Sequence, residues 1–268
     1  MNTLKTAVFI IFSFLIVACS GSRTVTTPAT DRSLTVDGNL TGWDLEQSVV
    51  ERSDAVNYYA THDNEFLYLY VDVRSRAKNY AMRQSGFIIY LSSNEENRKQ
   101  VGIAFPSGSF NLLREDPGAY NSFLNDQEWG QNPRNMELLQ NLEGEIFDRI
   151  MIVERSGSSE RNHGFINKDQ LLIDGIEIAA EDGRRLMGIE MRVPLNEASL
   201  YNLNGNKIWL GFEIDPPNIR IQDDQSSMNQ QQRYGGQRRV NQNRGNRQSN
   251  LRQRMGQYER WYQLNLSQ

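Results

Sequence analysis

Apolar and polar side chains alternate with a period of two over several short stretches of this chain, which is the spacing of β-strands buried on one face. In residues 66–73 the aliphatic side chains share one face and the aromatic side chains share the other. Strand patterns are also present in residues 87–91, 101–105, 146–153, 171–179, 187–193, 208–215 and 258–266. The pattern predicts an all-β protein, an antiparallel β-sandwich of about nine strands over residues 33–268.

The connections between these strands are also predicted. Residues 66–105 are expected to form an antiparallel meander, and residues 181–184 the turn of a β-hairpin. Residues 116–143 break the alternation, because Asn132-Pro133 is a typical helix start and apolar residues follow at helical spacing. We therefore expect a small helical insertion over residues 116–143.

A second break lies just before the last strand. Residues 222–257 are rich in Gln, Asn, Arg and Gly, with seven arginines and two aspartates. Such a segment has too little apolar surface to offset the entropy of ordering, so it is predicted to be a long disordered loop. It contains almost no aromatic residues that could stack on bases, and nucleic acid is not expected as a partner. An anionic envelope polymer, the protein's own acidic face and no partner at all remain open.

The N-terminus has the pattern of a secretory signal peptide. Lys5 precedes an apolar run over residues 7–18, which is too short to span a bilayer. Ala18 stands directly before Cys19, the only cysteine in the chain, and this arrangement resembles the lipobox of bacterial lipoproteins. We expect a signal peptide over residues 1–18, lipidation of Cys19 and a flexible linker over residues 19–32.

Lipidation of Cys19 implies a membrane as a partner and a place in the cell envelope. Acyl chains on one residue make a durable anchor without spanning the bilayer. The residues after Cys19, Ser-Gly-Ser-Arg, contain no acidic residue, as in lipoproteins sent to the outer membrane. The chain is therefore expected on the outer membrane, at its periplasmic face.

The residues that carry catalytic chemistry are scarce. The net charge of −4 is too small to imply a partner, and the two histidines stand in polar turns without a nucleophile motif nearby. Zinc motifs are missing as well. We therefore predict no enzyme, no catalytic residue and no metal site. Asp63-Asn64-Glu65 has oxygen ligands that suit a structural calcium ion, although a tight turn is the favoured interpretation.

Aromatic side chains are the best candidates for ligand binding, since a sugar needs flat apolar faces beside polar groups. Trp209 and Trp261 fall on the strand face opposite the aliphatic residues, where they could bind a ligand or be covered by the insertion. Trp129 is a rim contact or the anchor of the insertion. Trp43 is expected to fill the core.

Several of these motifs resemble the family-nine carbohydrate-binding modules and their DOMON-like relatives. The shared order is an Asp-Gly pair (Asp37-Gly38), a Trp (Trp43) and a strand led by Asp63-Asn64-Glu65. Later, Val193-Pro194-Leu195 and the strand with Gly211-Phe212 look like the late strand pair of the modules. The resemblance implies a β-sandwich that binds a glycan without catalysis.

The resemblance also implies a site. In sugar-binding members, one Trp shortly before the strand equivalent to residues 86–92 and a second near the C-terminal end sandwich a terminal sugar. Here the first position falls in the stretch with Tyr80, Met82 and Arg83, and the second in residues 222–257. In the haem-binding branch a Met and a His are axial ligands, for which Met82 and His163 are formally available.

The expected function is a lipid-anchored, non-catalytic binding module for a glycan or another envelope polymer. Two alternatives stay open: a structural or interaction subunit of an outer-membrane protein assembly, and a protein associated with a glycoside hydrolase. The candidate ligand-binding residues are Trp209, Trp261, Trp129, Tyr80 and Arg83.

Overall fold

The computed structural model describes residues 23–126, 128–156, 160–182, 186–214 and 258–267. The predicted signal peptide, Cys19 and the basic segment 222–257 lie outside the described residues. None of the helices in the described part of the chain is both long and apolar enough to span a membrane.

Twelve strands form two sheets in these residues. The strands are β1 (Arg23–Thr27), β2 (Val49–Glu51), β3 (Val56–His62), β4 (Phe66–Val73), β5 (Ile88–Ser92), β6 (Val101–Ala104), β7 (Arg149–Ser156), β8 (Glu160–Asn167), β9 (Glu177–Asp182), β10 (Met187–Pro194), β11 (Lys207–Ile214) and β12 (Tyr258–Leu266). The seven-stranded sheet has the order β1-β12-β11-β5-β6-β7-β8, and the five-stranded sheet has the order β2-β3-β4-β10-β9. Neighbouring strands are antiparallel except for the parallel pair β1 and β12.

The helices lie between the strands. They are α1 (Arg76–Ser85), α2 (Phe110–Glu115), α3 (Pro117–Asn125) and α4 (Pro133–Glu143), with 3-10 turns at Trp129–Gln131 and Lys168–Asp174. The prediction of an antiparallel β-sandwich with a small helical insertion is confirmed, although the described residues form twelve strands instead of about nine. The insertion begins a few residues earlier than predicted, with α2.

The aliphatic faces of both sheets meet in one core. Leu67, Ile89, Ile189 and Phe212 all belong to the same buried cluster. Phe212 stacks on Tyr58 of the facing sheet, with ring centroids 4.2 Å apart. Burial of each such side chain contributes about 1.5–3 kcal/mol, so this shared interior supplies most of the stability. The alternation in the sequence therefore identifies the inner faces of the sandwich.

The aromatic face of β4 is buried too, on the outer side of the five-stranded sheet. Tyr68 and Tyr70 form a second cluster with Leu34 and Trp43 from the segment that precedes β2. Trp43 is 8% exposed. It is buried as predicted, but it covers the outside of a sheet instead of filling the space between the two.

One carboxylate holds this segment against the sheet. Glu190 of β10 is fully buried, and its Oε2 accepts hydrogen bonds from the backbone N–H groups of Asp37 (2.9 Å) and Gly38 (3.0 Å). Its Oε1 accepts a hydrogen bond from Nε1 of Trp43 at 2.9 Å. Burial raises the pKa of Glu190, and the three donors oppose that rise. The Asp-Gly pair and the Trp are thus joined by a residue about 150 positions later in the chain.

The structure corrects three predicted connections. Strands β4 and β5 do not form one meander, because α1 carries the chain from the five-stranded to the seven-stranded sheet. The strand predicted over residues 171–179 is instead the 3-10 turn Lys168–Asp174 followed by β9. Strands β10 and β11 also lie in different sheets. The hairpin of β9 and β10 is as predicted.

The helix starts of the insertion follow from their capping residues. The side chain of Asn132 accepts a hydrogen bond from the backbone N–H of Arg134 at 3.0 Å, and Pro133 occupies the first turn of α4. Asp116 caps α3 in the same way, through the N–H of Ala119 at 2.9 Å. Asn or Asp before Pro is a strong helix start, which is why the sequence predicts this part of the insertion.

Part of the predicted linker 19–32 is a strand. Arg23–Thr27 forms β1 and pairs with β12, because its β-branched residues favour an extended backbone. The hydroxyl of Thr24 donates a hydrogen bond to Oε1 of Gln263 at 3.2 Å. The ordered sandwich therefore begins within four residues of Cys19.

Asp63 closes the turn between β3 and β4. Its Oδ1 accepts hydrogen bonds from the backbone N–H groups of Glu65 (2.8 Å) and Phe66 (2.7 Å), and its Oδ2 accepts one from the hydroxyl of Tyr68 (2.8 Å). The tight-turn interpretation is therefore confirmed. Within the described ranges no three carboxylate, His or Cys side chains converge in a way that could hold a metal ion.

These hydrogen bonds make the turn sensitive to pH. Burial would raise the pKa of Asp63, but the hydrogen bonds from Glu65, Tyr68 and Phe66 lower it overall. The folded chain thus favours the anion, and this stabilisation is complete above the ordinary Asp pKa of about 3.9. It is lost as the pH falls through the lowered pKa of the folded state.

We expect Asp63→Asn to lower the free energy of unfolding by on the order of 1 kcal/mol at neutral pH, because Tyr68 loses a charged acceptor. Urea unfolding of both chains from neutral to acidic pH measures the difference. The difference should shrink in acid, where Asp63 of the unchanged chain becomes protonated. A difference that is independent of pH would contradict this account of the turn.

Candidate functional site

The insertion covers only one half of the outer face of the seven-stranded sheet. Phe110 and Tyr120 pack on the β5 to β7 half, in a cluster with Ile88, Tyr90, Ala104, Met151 and Val153. The outward side chains of β11 and β12 continue from this cluster toward the polar loop between β5 and β6, and Trp261 packs against its edge. This second half of the face carries the two tryptophans that the sequence singles out.

Trp261 lies flat on the sheet in this half. In the register of β11 and β12 it stands opposite Gly211, and a Cβ atom at Gly211 would overlap the indole ring. On the far side of Gly211 the ring of Tyr90 stacks against Trp261, with centroids 5.8 Å apart and 28° between the ring planes. Trp261 is half-buried, whereas Tyr90 is fully buried. We call Trp261, Gly211 and Tyr90 the Trp261 platform.

Charged side chains surround this platform. Nζ of Lys99 lies 3.0 Å from Oε2 of Glu213 and 2.9 Å from Oε1 of Glu259. Nε1 of Trp261 donates a hydrogen bond to the same oxygen of Glu259 at 2.6 Å. The guanidinium carbon of Arg98 lies 4.8 Å from the centroid of Trp261. We call Arg98, Lys99, Glu213 and Glu259 the charged rim.

The hydrogen bonds and charges of the rim favour the ionised form of Glu259. Burial would raise the pKa of Glu259, but the hydrogen bonds from Trp261 and Lys99 lower it overall, with help from the charges of Lys99 and Arg98. Glu213 is 2% exposed and pairs with the same ammonium group. The rim therefore presents anionic acceptors and cationic donors at fixed positions beside an aromatic surface.

The loop between β5 and β6 supplies half of the rim. Glu95, Glu96, Arg98 and Lys99 line an open depression beside the platform. The amide side chains of Gln263 and Asn265 follow Trp261 along the same face of β12. A ligand at this place would meet a ring, two cations, carboxylates and amides.

The five candidate ligand-binding residues do not form one site. Trp209 and Trp261 share the outer face of the sheet, as predicted, but Trp209 is only 7% exposed. Trp129 is buried inside the insertion, where its ring meets Phe123 edge-on at 5.3 Å. It is thus the anchor of the insertion and not a rim contact.

The remaining two candidates lie on α1. Tyr80 is 39% exposed. Arg83 joins α1 to the insertion, with an ion pair of 3.4 Å to Glu143 and a guanidinium 5.3 Å from the ring of Phe147. These contacts give Arg83 a structural role. Met82 is buried in the core and His163 is exposed on β8, so the structure gives no support to an axial pair.

Sequence reasoning missed Tyr90, Arg98, Lys99 and Glu259, and it gave no role to Glu213 on the tryptophan face. In the sequence, residues 93–97 show only the polar pattern of a turn, and the carboxylates carry no motif. The available signal was the alternation itself, which puts Glu213, Glu259 and Trp261 on outward positions of strands. Their meeting with Lys99 depends on which strands are neighbours, and the alternation does not contain that information.

Comparison with known proteins gives fold relatives only. No model of a protein family and no curated protein matches this chain. Among solved structures, it is similar to a carbohydrate-binding module of family 9 from Caldicellulosiruptor kristjanssonii in complex with cellotriose, at 10% identity and a TM-score of 0.35, over 73% of this chain and 78% of that one. The complex of a family 9 module from the same organism with glucose matches at 12% identity and a TM-score of 0.34, over 91% and 96%. The fold of this chain is established by the two sheets described above.

Proposed function

We propose that this chain is a non-catalytic glycan-binding protein, with its binding site at the Trp261 platform and the charged rim. The observation that carries the proposal is a half-buried indole held flat on a sheet, with hydrogen-bonding groups fixed at its edge. Pyranose rings present an apolar C–H face and equatorial hydroxyl groups. An aromatic surface with convergent polar groups is the arrangement that such a ligand needs.

Each part of the site has a role in this proposal. The sugar face packs on Trp261, and its hydroxyl groups donate to the carboxylates of Glu213 and Glu259. Arg98 lies over the ring in the free chain and moves aside, which costs about 0.5–1 kcal/mol for an exposed cation–π contact. Arg98 and Lys99 then bind hydroxyl or acidic groups of the glycan. The site therefore suits an envelope polymer that carries anionic substituents.

Binding without cleavage follows from the charge state of the rim. A glycosidase needs one protonated carboxylic acid beside one carboxylate. Lys99 pairs with both Glu213 and Glu259, and the hydrogen bonds from Trp261 and Lys99 lower the pKa of Glu259. The two carboxylates are thus better suited to accept hydrogen bonds than to protonate a leaving group.

The place of the protein is part of the same proposal. Lipidation of Cys19, the only cysteine, anchors the chain to the outer membrane at its periplasmic face, within reach of envelope polymers. Several acyl chains on one residue supply stable attachment. The mass of the mature N-terminal peptide tests the modification directly.

We expect Trp261→Ala to weaken glycan binding about tenfold or more, since aromatic anchors at the centre of a site contribute about 2 kcal/mol. Affinity electrophoresis in gels with soluble neutral and anionic polysaccharides gives the measurement. Tyr80→Ala is the matched control, because it removes an exposed aromatic ring on α1 and should leave binding unchanged. Unchanged binding in Trp261→Ala, or no binding to any of the polysaccharides, would contradict the proposal.

Gly211→Ala gives a second, independent variant. The added Cβ overlaps the indole ring and lifts Trp261 from the sheet, although the ring itself remains. Binding should fall as in Trp261→Ala while the circular dichroism spectrum of the sandwich is retained. Full binding by this variant would show that the position of the ring does not matter.

A second candidate function, an interaction subunit of an envelope assembly, is favoured by one observation. Ile173 is 85% exposed and Leu172 is 54% exposed in the 3-10 turn before β9. They lie beside an open depression lined by Phe66, Pro194 and Leu195. Crosslinking from this turn in the native envelope distinguishes this function from glycan binding, which uses the other sheet.

A further inference from the structure

One end of the sandwich gathers the start of β12, the start of β3 and helix α1. The hydroxyl groups of Tyr58 in β3 and Tyr258 in β12 are 2.6 Å apart, which joins the two sheets at this end. Ile214 pairs with Tyr258, so the 43 residues between them leave and rejoin the sandwich here. The turn of Asn64 between β3 and β4 lies at the opposite end, one strand length away.

Positive charge is concentrated at the Tyr258 end. Nζ of Lys78 lies 4.5 Å from the ring centroid of Tyr258, and the guanidinium carbon of Arg260 lies 5.0 Å from the same centroid. Arg76 is exposed in the first turn of α1. We call Arg76, Lys78 and Arg260 the basic end.

The cations of the basic end make no direct ion pair. Among the described residues none of its three side chains lies within ion-pair distance of a carboxylate. The neighbouring carboxylates have other partners: Glu51 accepts a hydrogen bond from Tyr262 at 2.6 Å, Glu259 pairs with Lys99 at 2.9 Å and Asp72 pairs with Arg74 at 3.3 Å. Burial and the nearby charge of Arg260 both lower the pKa of Lys78. Two cations on one ring without a counterion are the arrangement of a site for anions.

The short chain between Cys19 and Arg23 allows Cys19 to lie near the basic end. Arg23, the first residue of β1, pairs with Tyr262 in a parallel register. Four Cα steps separate Cys19 from Arg23, a reach of at most about 14 Å. Because β1 and β12 are parallel, the chain that precedes Arg23 would run alongside β12 from Tyr262 toward Tyr258. These two residues are about 13 Å apart along the strand. Cys19 can therefore reach the level of Tyr258, whereas the turn at Asn64 lies far out of its range.

The segment between Ile214 and Tyr258 is itself basic in sequence. Residues 215–257 contain eight arginines and three aspartates. The two residues that flank this segment, Ile214 and Tyr258, pair with each other at the basic end.

We propose that the basic end rests on the anionic phospholipid surface to which the chain is anchored, with Arg76, Lys78 and Arg260 against the headgroup phosphates. The orientation rests on the lipid anchor of the proposed function. Each basic residue near an anionic membrane raises the population of this orientation about fivefold.

Spin labels on the acylated full chain test this orientation in vesicles that contain a nickel-chelating lipid. Cys19 is the only native cysteine and is blocked by lipid, so an introduced cysteine carries the only label. Ala77→Cys on α1 reports on the basic end, and Asn64→Cys reports on the opposite end. In phosphatidylglycerol vesicles the nickel ions at the membrane surface should enhance the electron-spin relaxation of the label at position 77. We expect this relaxation to be about fivefold faster than that of the label at position 64.

Charge reversal and lipid composition complete the test. Adding Arg76→Glu to Ala77→Cys, or replacing phosphatidylglycerol by phosphatidylcholine, should remove most of the difference. Arg134→Glu on α4, a matched reversal away from this end, should leave it unchanged. Equal relaxation rates at positions 77 and 64 would overturn the proposed orientation but not the lipid anchor. A difference between the two positions that is the same in phosphatidylcholine and phosphatidylglycerol vesicles would do the same. A mature chain without acyl groups overturns the anchor as well, while loss of glycan binding bears on neither.

Discussion

Glu190→Gln is expected to lower the free energy of unfolding by about 3 kcal/mol. A carboxylate accepts from all three donors around it, the N–H groups of Asp37 and Gly38 and the indole of Trp43. A glutamine offers one oxygen, and its NH2 group then points at a donor. The site is fully buried, so no water compensates.

Urea unfolding followed by circular dichroism measures this loss. Glu137→Gln, on the exposed face of α4, is the matched control and should change the free energy of unfolding by less than about 0.5 kcal/mol. Trp43→Phe removes one donor and leaves the carboxylate in place, so it should cost about 1 kcal/mol. If Glu190→Gln were as harmless as Glu137→Gln, the carboxylate would not hold the N-terminal segment.

Gly38→Ala is expected to have an effect of similar size, about 4 kcal/mol. Gly38 has a φ of +84°, a conformation that costs other residues about 1–3 kcal/mol. An added Cβ would also overlap the backbone of Ala180 and Glu181 in β9. The backbone of a paired strand cannot move aside as a flexible side chain can, so the overlap adds to the strain.

Gly42 provides a matched control for Gly38. Its φ of +89° is nearly the same, but a Cβ there would lie 3.5 Å from Cδ2 of Leu34, an ordinary contact. Gly42→Ala should therefore cost only the conformational part, about 1–2 kcal/mol. Thermal and urea unfolding of both variants compare the two costs. Equal losses would mean that the segment does not pack on β9 as the structure describes.

The alternation in the sequence predicts much of the fold because side-chain burial determines it directly. Residues 66–73 show this best, since the aliphatic positions all enter the core between the sheets. The meander over residues 66–105 is wrong for a different reason. Alternation is the same in either sheet, and only α1 decides that the chain crosses from one sheet to the other.

The candidate site is less predictable than the fold. Outward positions for Trp209 and Trp261 follow from the strand pattern, and both lie there. The carboxylates that surround Trp261 are about 46 positions apart, and the ammonium group that joins them is more than 100 positions away from either. Pairing of distant strands creates this constellation, and nothing in the local sequence encodes it.

The Asp-Gly pair and Trp43, on which the resemblance to carbohydrate-binding modules rests, also have a physical explanation. The backbone N–H groups of Asp37 and Gly38 and the indole of Trp43 all donate to the buried carboxylate of Glu190. The spacing of the motif therefore reflects how the N-terminal segment covers the five-stranded sheet. Such a motif identifies an architecture, and the choice of ligand lies with other residues.

The parallel pairing of β1 with β12 determines how the domain withstands a mechanical pull. A pull on the chain before Arg23 would load β1 along its own axis. The hydrogen bonds between Arg23–Thr27 and β12 run across that direction, so they must shear together instead of opening one after another. A single edge strand thus acts as a shear clamp at the border of the seven-stranded sheet.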